Sequence, residues 1–281
     1  MTAELPRRLL AELVGTGILV LFGAGAVAAA LTLGDGELEY PGLGMIAISF
    51  AIGIAIAVYA FGETSGAHIN PAVTVSLAVT GRFPWSEVVP YIGAQLAGGF
   101  IGALLIVASF GSGIVDLAAV GNTTVAEGTS YIEAIVAEAL GTFLLLTAVM
   151  ALAIDRRAAP GWAGLMIGLA VAGAILVIGP LTGGSLNPAR TFGPLFTTTL
   201  WGGDTNWGDF PIYIIGPLIG GAVAALIYDY VARPGEVVPE PEIAGGGGRA
   251  ATLPGEPSRQ GTPGEIAGRG GTKSSFQAKE E

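Results

Sequence analysis

Residues 40–62, 64–81, 88–115, 158–189 and 210–228 contain no Asp, Glu, Lys or Arg, and 9–34 and 134–154 contain one Glu each. Several of these runs exceed the roughly 20 residues that an α-helix needs to cross the hydrocarbon of a bilayer. A soluble core has no use for so much continuous apolar length, and the 12% charged residues and mean hydropathy of +0.67 agree with a membrane as solvent. Six spans are predicted near 9–31, 43–62, 88–109, 132–154, 162–180 and 211–231. Two apolar pieces at about 70–79 and 187–197 are left over, too short to cross.

Basic residues set the orientation of such a chain more than acidic ones do. Arg7, Arg8, Arg82, Arg156, Arg157 and Arg233 all fall on one side of the predicted spans. The loops on the other side, around 34–41, 110–130 and 198–210, carry Asp and Glu and no base. Both termini are therefore expected in the cytoplasm of a multi-pass plasma-membrane protein. The first apolar run is too long for a cleavable signal and is expected to be retained. Residues 1–232 read as one membrane domain. From 233 to 281 the composition turns to Gly, Pro and mixed charge, which predicts a disordered cytoplasmic tail.

The chain has no cysteine, and His68 is its only histidine. Thiolate chemistry, disulfides, a histidine-rich metal site and a Ser/His catalytic pair are thereby disfavoured, and no catalytic residue, metal ligand or cofactor is assigned.

The two halves resemble each other. AELVGTGILVLFG from Ala11 matches AEALGTFLLLTAV from Ala137, so Glu12 corresponds to Glu138. The third and sixth spans share a glycine pattern, Gly93-x4-Gly98 against Gly216-x4-Gly221. SGAHINPAV around Asn70 matches GGSLNPART around Asn187. Three spans per half make the second half enter the membrane from the opposite side. The fold class that follows is an all-α membrane protein of six transmembrane helices and two re-entrant half-helices in an inverted 3+3 repeat, about 5–115 and 130–232.

Asn-Pro-Ala stands at Asn70, Pro71, Ala72 and again at Asn187, Pro188, Ala189, each time opening a leftover short segment. Asn is a favoured helix N-cap, and Pro suits the first helical position, where no N–H is needed. Each short segment is thus a half-helix starting at its asparagine. Its irregular lead-in can lie at membrane depth only if buried in protein or lining a wet cavity. An inverted repeat brings the two starts together near the midplane. Arg190, three residues past Asn187, is the one basic residue placed inside the membrane, where a charge defaults to a functional reading. Gly98-x3-Gly102, Gly164-x3-Gly168 and Gly216-x3-Gly220 suit close helix packing.

Over almost all of residues 5–232 the sequence resembles the aquaporin and glycerol-facilitator family, through the paired Asn-Pro-Ala motifs, the AEL and AEA glutamates, the SGAHINPAV string and the NPAR ending. The resemblance implies a passive channel, not an enzyme. Asn70 and Asn187 would donate amide N–H groups to a passing water, and two half-helix N-termini, each bearing about half a positive charge, would oppose a cation or hydronium. Selectivity in such pores comes from diameter, polar lining and electrostatic barriers. The lead-ins Gly66, Ala67, His68 and Gly183, Gly184, Ser185 would supply a ladder of backbone carbonyls. Arg190 would line a narrow filter with Phe50, Ile175 and Gly184.

That filter departs from the water-specific pattern, which has a histidine at the position of Ile175 and often a larger side chain at Gly184. It also departs from the glycerol pattern, which usually has Asp where Thr191 stands and often Trp where Phe50 stands. In this it is similar to archaeal aquaporins. Water is the expected cargo, with glycerol and other small neutral solutes as further candidates. The bilayer is the other partner, a homotetramer is implied by the resemblance, and no nucleic acid is involved. Glu12 and Glu138 are read as braces accepting hydrogen bonds from the re-entrant loops, and the His68 side chain as a local brace. The alternative is a gradient-coupled secondary transporter that relays protons through Glu12 or Glu138.

Overall fold

A computed structural model describes residues 3–232; the tail expected at 233–281 lies outside the described residues. Six helices are long and apolar enough to cross a membrane. In chain order the helices are α1 (Leu5–Leu33), α2 (Tyr40–Ser65), α3 (Pro71–Val79), α4 (Trp85–Phe110), α5 (Ile114–Ala118), α6 (Tyr131–Val149), α7 (Ala163–Thr182), α8 (Pro188–Leu200) and α9 (Ile212–Ala232). No strand occurs among the described residues.

Local sequence accounts for the boundaries. Proline opens α1, α2, α3 and α8, where its missing N–H costs nothing. Ser130 and Glu133 form a capping box at the start of α6. α2 and α7 both stop at a glycine in the left-handed region, Gly66 at φ +87 and Gly183 at φ +77, a conformation that penalises any Cβ.

The helices pair symmetrically. α1 packs on α4 and α2, α6 packs on α9 and α7, and α2 and α7 meet between the halves. Glycines let backbones touch at these crossings: a Cβ at Gly98 would strike the Leu13 carbonyl, and one at Gly220 would strike the Ala139 carbonyl. Leu13 and Ala139 each follow a repeat glutamate, so Gly98 is equivalent to Gly220 and Gly99 to Gly221. The sequence pairing of Gly93 with Gly216 and Gly98 with Gly221 is thus one residue out of step. The outward faces remain apolar, as with Ile48, Ile52 and Ile56 on α2 and Ile132, Val136 and Leu140 on α6. Spacing of four places each set on one helix face, the face a bilayer would cover.

Three features depart from the sequence expectation. α8 runs 13 residues rather than about ten. The linker after α4 folds into α5 and a 3-10 turn, Ala119–Gly121. α6 ends in a π-helical turn, Met150–Ile154.

Candidate functional pore

The two lead-ins are built alike around a buried glutamate. From the first half, the Glu12 carboxylate accepts from His68 N at 2.9 Å, Ile69 N at 2.6 Å and the Ser65 hydroxyl at 2.7 Å. Its counterpart Glu138 accepts from Ser185 N at 2.9 Å, Leu186 N at 2.7 Å and the Thr182 hydroxyl at 2.7 Å. Both carboxylates are fully buried. Backbone N–H groups in a non-helical segment at this depth need a partner, and the acidic side chains supply it. Tyr91 Oη donates to the Ser65 carbonyl and Tyr213 Oη to the Thr182 carbonyl, each at 2.9 Å. Ala67, Ile69, Gly184 and Leu186 sit at positive φ, so the carbonyls along these lead-ins cannot fall back into helical pairing.

Each lead-in ends at its asparagine. Asn70 Oδ1 accepts from Ala72 N at 2.8 Å, and Asn187 Oδ1 accepts from Ala189 N at 3.0 Å. Across the centre, Asn70 Nδ2 donates to the Leu186 carbonyl and Asn187 Nδ2 to the Ile69 carbonyl, both at 2.9 Å. Of the two N–H bonds on each amide, one is therefore spent on the opposite loop.

Arg190 is 1% exposed. Its Nη1 donates to the Gly121 carbonyl at 2.8 Å, and its Nε is buried with no protein partner. The guanidinium carbon stands 5.1 Å from the centroid of the Phe50 ring, within reach of a cation–π attraction. Gly184 meets Ile175, since a Cβ there would lie 3.2 Å from the Ile175 Cα. A 3-10 turn within the 110–130 linker thus delivers the carbonyl that holds the arginine.

A cavity of about 500 Å³ has a lining that includes Phe50, Asn70 and Asn187, the lead-in residues Gly66, Ala67, His68, Ile69, Ser185 and Leu186, and Glu63, Pro160 and Gly161. Ile175, Gly183, Gly184 and Arg190 are outside that lining. The wall is mostly aliphatic, including Leu19, Ile54, Val73, Leu145 and Val171. His68 uses Nδ1 to pair with Thr74 Oγ1 at 3.1 Å and packs edge-on against Phe83.

The sequence matches the major intrinsic protein family over residues 1–228. The chain belongs to that family. It is 47% identical to a probable aquaporin, AqpM, of Archaeoglobus fulgidus, across 83% of this chain and all of that one. With an AqpM aquaporin of Methanothermobacter marburgensis it shares 45% identity across 81% of this chain and 98% of the other. The structure superposes on an X-ray structure of an aquaglyceroporin from Plasmodium falciparum with a TM-score of 0.72 at 25% identity, covering 82% of this chain and 98% of that one. Proteins of the major intrinsic protein family are passive channels, and this integral multi-pass membrane protein is a channel rather than an enzyme.

Residues missed at the sequence level have a common signature. Ser65 and Thr182 each stand five residues before an asparagine, and the hydroxyl is the shared property. Tyr91 and Tyr213 come into register once Gly98 is paired with Gly220. Gln95, whose Nε2 donates to Glu12 Oε2 at 2.8 Å, has no counterpart: Pro217 occupies the matching place.

Proposed function

We propose that the chain conducts water through a pore within each protomer, passes glycerol or other small neutral solutes to a degree set by Phe50, Ile175, Gly184 and Arg190, and excludes protons and ions. The observation that carries this reading is the meeting of two half-helix starts through Asn70 and Asn187. Each amide keeps one N–H for a passing oxygen. Two donors facing one water force its hydrogens toward the two mouths, which breaks a proton-conducting chain. The positive ends of α3 and α8 add an electrostatic barrier to cations. The carbonyls of Gly66, Ala67 and His68 on one side and Gly183, Gly184 and Ser185 on the other act as acceptors in an otherwise greasy tube. Glu12 and Glu138 serve as braces, each fully engaged by loop donors, and a relay role is not needed.

Membership in a channel family supports one continuous channel domain over 1–232, with both termini in the cytoplasm of the plasma membrane and four such chains assembled side by side. The test is stopped-flow light scattering on proteoliposomes, first under an impermeant osmolyte and then under a glycerol gradient. Fast shrinkage with weak temperature dependence and no imposed proton gradient is the expected result. Shrinkage no faster than in empty liposomes, from folded protein, would overturn it.

A further inference from the structure

Gly23 lies buried inside α1, in ordinary helical geometry. Nothing in its backbone calls for glycine, which is a poor helix former. The three nearest atoms that a side chain there would meet all belong to one neighbour, Phe50. A Cβ on Gly23 would overlap Cδ1 and Cε1 of the Phe50 ring and lie 2.6 Å from its Cζ. The aromatic edge thus rests directly on the α1 backbone. Arg190 stands over the same ring, its Cζ 5.1 Å from the centroid, and Phe50 also borders the cavity.

We infer that Gly23 is a specificity-determining position: by letting Phe50 lie back against α1 it sets how wide the constriction opens. This rests on the reading of Phe50 and Arg190 as the filter. An added methyl must be relieved by either the helices or the ring, and the helices are tied at this level. Ser49, the residue before Phe50, donates its hydroxyl to the carbonyl of Phe22, the residue before Gly23, at 2.7 Å. One turn further on, α2 passes close to α1 at Gly53, where even an added Cβ would already be in van der Waals contact with the Ile18 carbonyl and the Leu19 Cα. The ring turns on two torsions and is the softer element. The nearest ring carbon, Cε1, would overlap the new Cβ, so to regain carbon–carbon contact of about 3.5–4.0 Å the ring has to withdraw from α1 by roughly 1.3–1.8 Å. Phe50 borders the cavity and Arg190 stands over its ring, so a ring that withdraws from α1 enters the constriction they bound, and a small-to-larger change at a position of α1 outside the cavity lining narrows the pore.

The experiment compares wild type, Gly23→Ala, Phe50→Ala and the double variant in proteoliposomes, with water, formamide, ethylene glycol and glycerol as a size series. Gly23→Ala is expected to lower flux of the largest solute that the wild type passes at least threefold relative to water, or water itself if nothing larger passes. Phe50→Ala is expected to raise flux of the larger solutes, and adding Gly23→Ala to it to change nothing further. If Phe50→Ala shifts the series and Gly23→Ala does not, the role of Gly23 is overturned while the filter stands. If Phe50→Ala itself leaves the series unchanged, the filter assignment fails. Should Gly23→Ala not fold, Phe50→Ala must rescue its folding, measured by a monodisperse peak in detergent; failure of that rescue also overturns the inference.

Discussion

Asn70 and Asn187 each hold the other's lead-in: the amide of Asn70 donates to the carbonyl next to Asn187, that of Leu186, and the amide of Asn187 donates to the carbonyl next to Asn70, that of Ile69, both at 2.9 Å. Each side chain therefore caps its own half-helix through Oδ1, staples the opposite loop through one N–H and retains a second N–H. No other side chain of this size offers an acceptor at one corner and two donors at the other. Asparagine at both places follows from this threefold demand.

Asn187→Asp tests it. The carboxylate still caps α8, but it now faces the Ile69 carbonyl, acceptor against acceptor. Leaving a buried carbonyl without its donor costs about 1–3 kcal/mol, so the melting temperature in detergent is expected to fall. The added negative charge also offsets the positive ends of α3 and α8, and cation leak across liposomes is expected to rise. Unchanged ion exclusion would place this asparagine off the conduction path.

How much of this was readable beforehand differs by layer. The six spans follow from long, nearly charge-free runs, and the half-helices follow from Asn-Pro chemistry, because both depend on residues adjacent in sequence. Glu12 and Glu138 stood out because a carboxylate in an apolar run is conspicuous. Ser65, Thr182, Tyr91 and Tyr213 did not, since hydroxyls are common in membrane helices and their partners, the Ser65 and Thr182 carbonyls, are backbone atoms with no sequence signature. The hold of Gly121 on Arg190 spans 69 residues and uses a carbonyl from a turn with Ala119 and Val120 at positive φ. Alanine and valine give no hint of such a conformation, so that turn was illegible.

Glu138→Gln is expected to destabilise the fold by about 2–4 kcal/mol, because hydrogen bonds to a charged group are worth roughly 1.5–3 kcal/mol each and the amide sets a donor against donors. Glu138 receives Thr182 Oγ1 and Ser185 N on Oε1 and Leu186 N on Oε2, so neither orientation of glutamine satisfies all three. Thermal unfolding in detergent reads the loss. Water flux through the surviving folded fraction is expected to be indifferent to an imposed pH gradient, and dependence on that gradient would revive the proton-relay reading.

Ile175→His should narrow the constriction and make it more polar. Gly184 is already close to Ile175, with a would-be Cβ 3.2 Å from Ile175 Cγ1, so a longer side chain has little room on that flank and must extend into the lumen. Glycerol permeability is expected to fall several times more than water permeability in paired proteoliposome assays. An unchanged ratio would count against Ile175 as a filter residue.

The linker 155–162 borders the cavity through Pro160 and Gly161, and one carboxylate anchors it. Asp155 accepts from Arg157 N at 2.9 Å, from the Arg157 guanidinium and from Tyr228 Oη at 2.9 Å, while Arg157 Nη2 reaches the Ala232 carbonyl at 2.8 Å. Hydrogen bonds from the Arg157 side chain, then its backbone N–H, hold the Asp155 carboxyl well below the usual carboxylate range. A depressed folded value means the anchor is fully present above the unfolded aspartate value, about 3.9, and is lost only as the pH falls through the lower folded value. Hydrogen exchange over 155–162 is therefore expected to stay protected down to pH 4. In Arg157→Ala the carboxyl loses its main stabilising partner, so loosening should begin at higher pH than in the wild type. Identical pH profiles for the two proteins would show that the linker is held by the Tyr59 contacts to Gly161 and Leu165 rather than by Asp155.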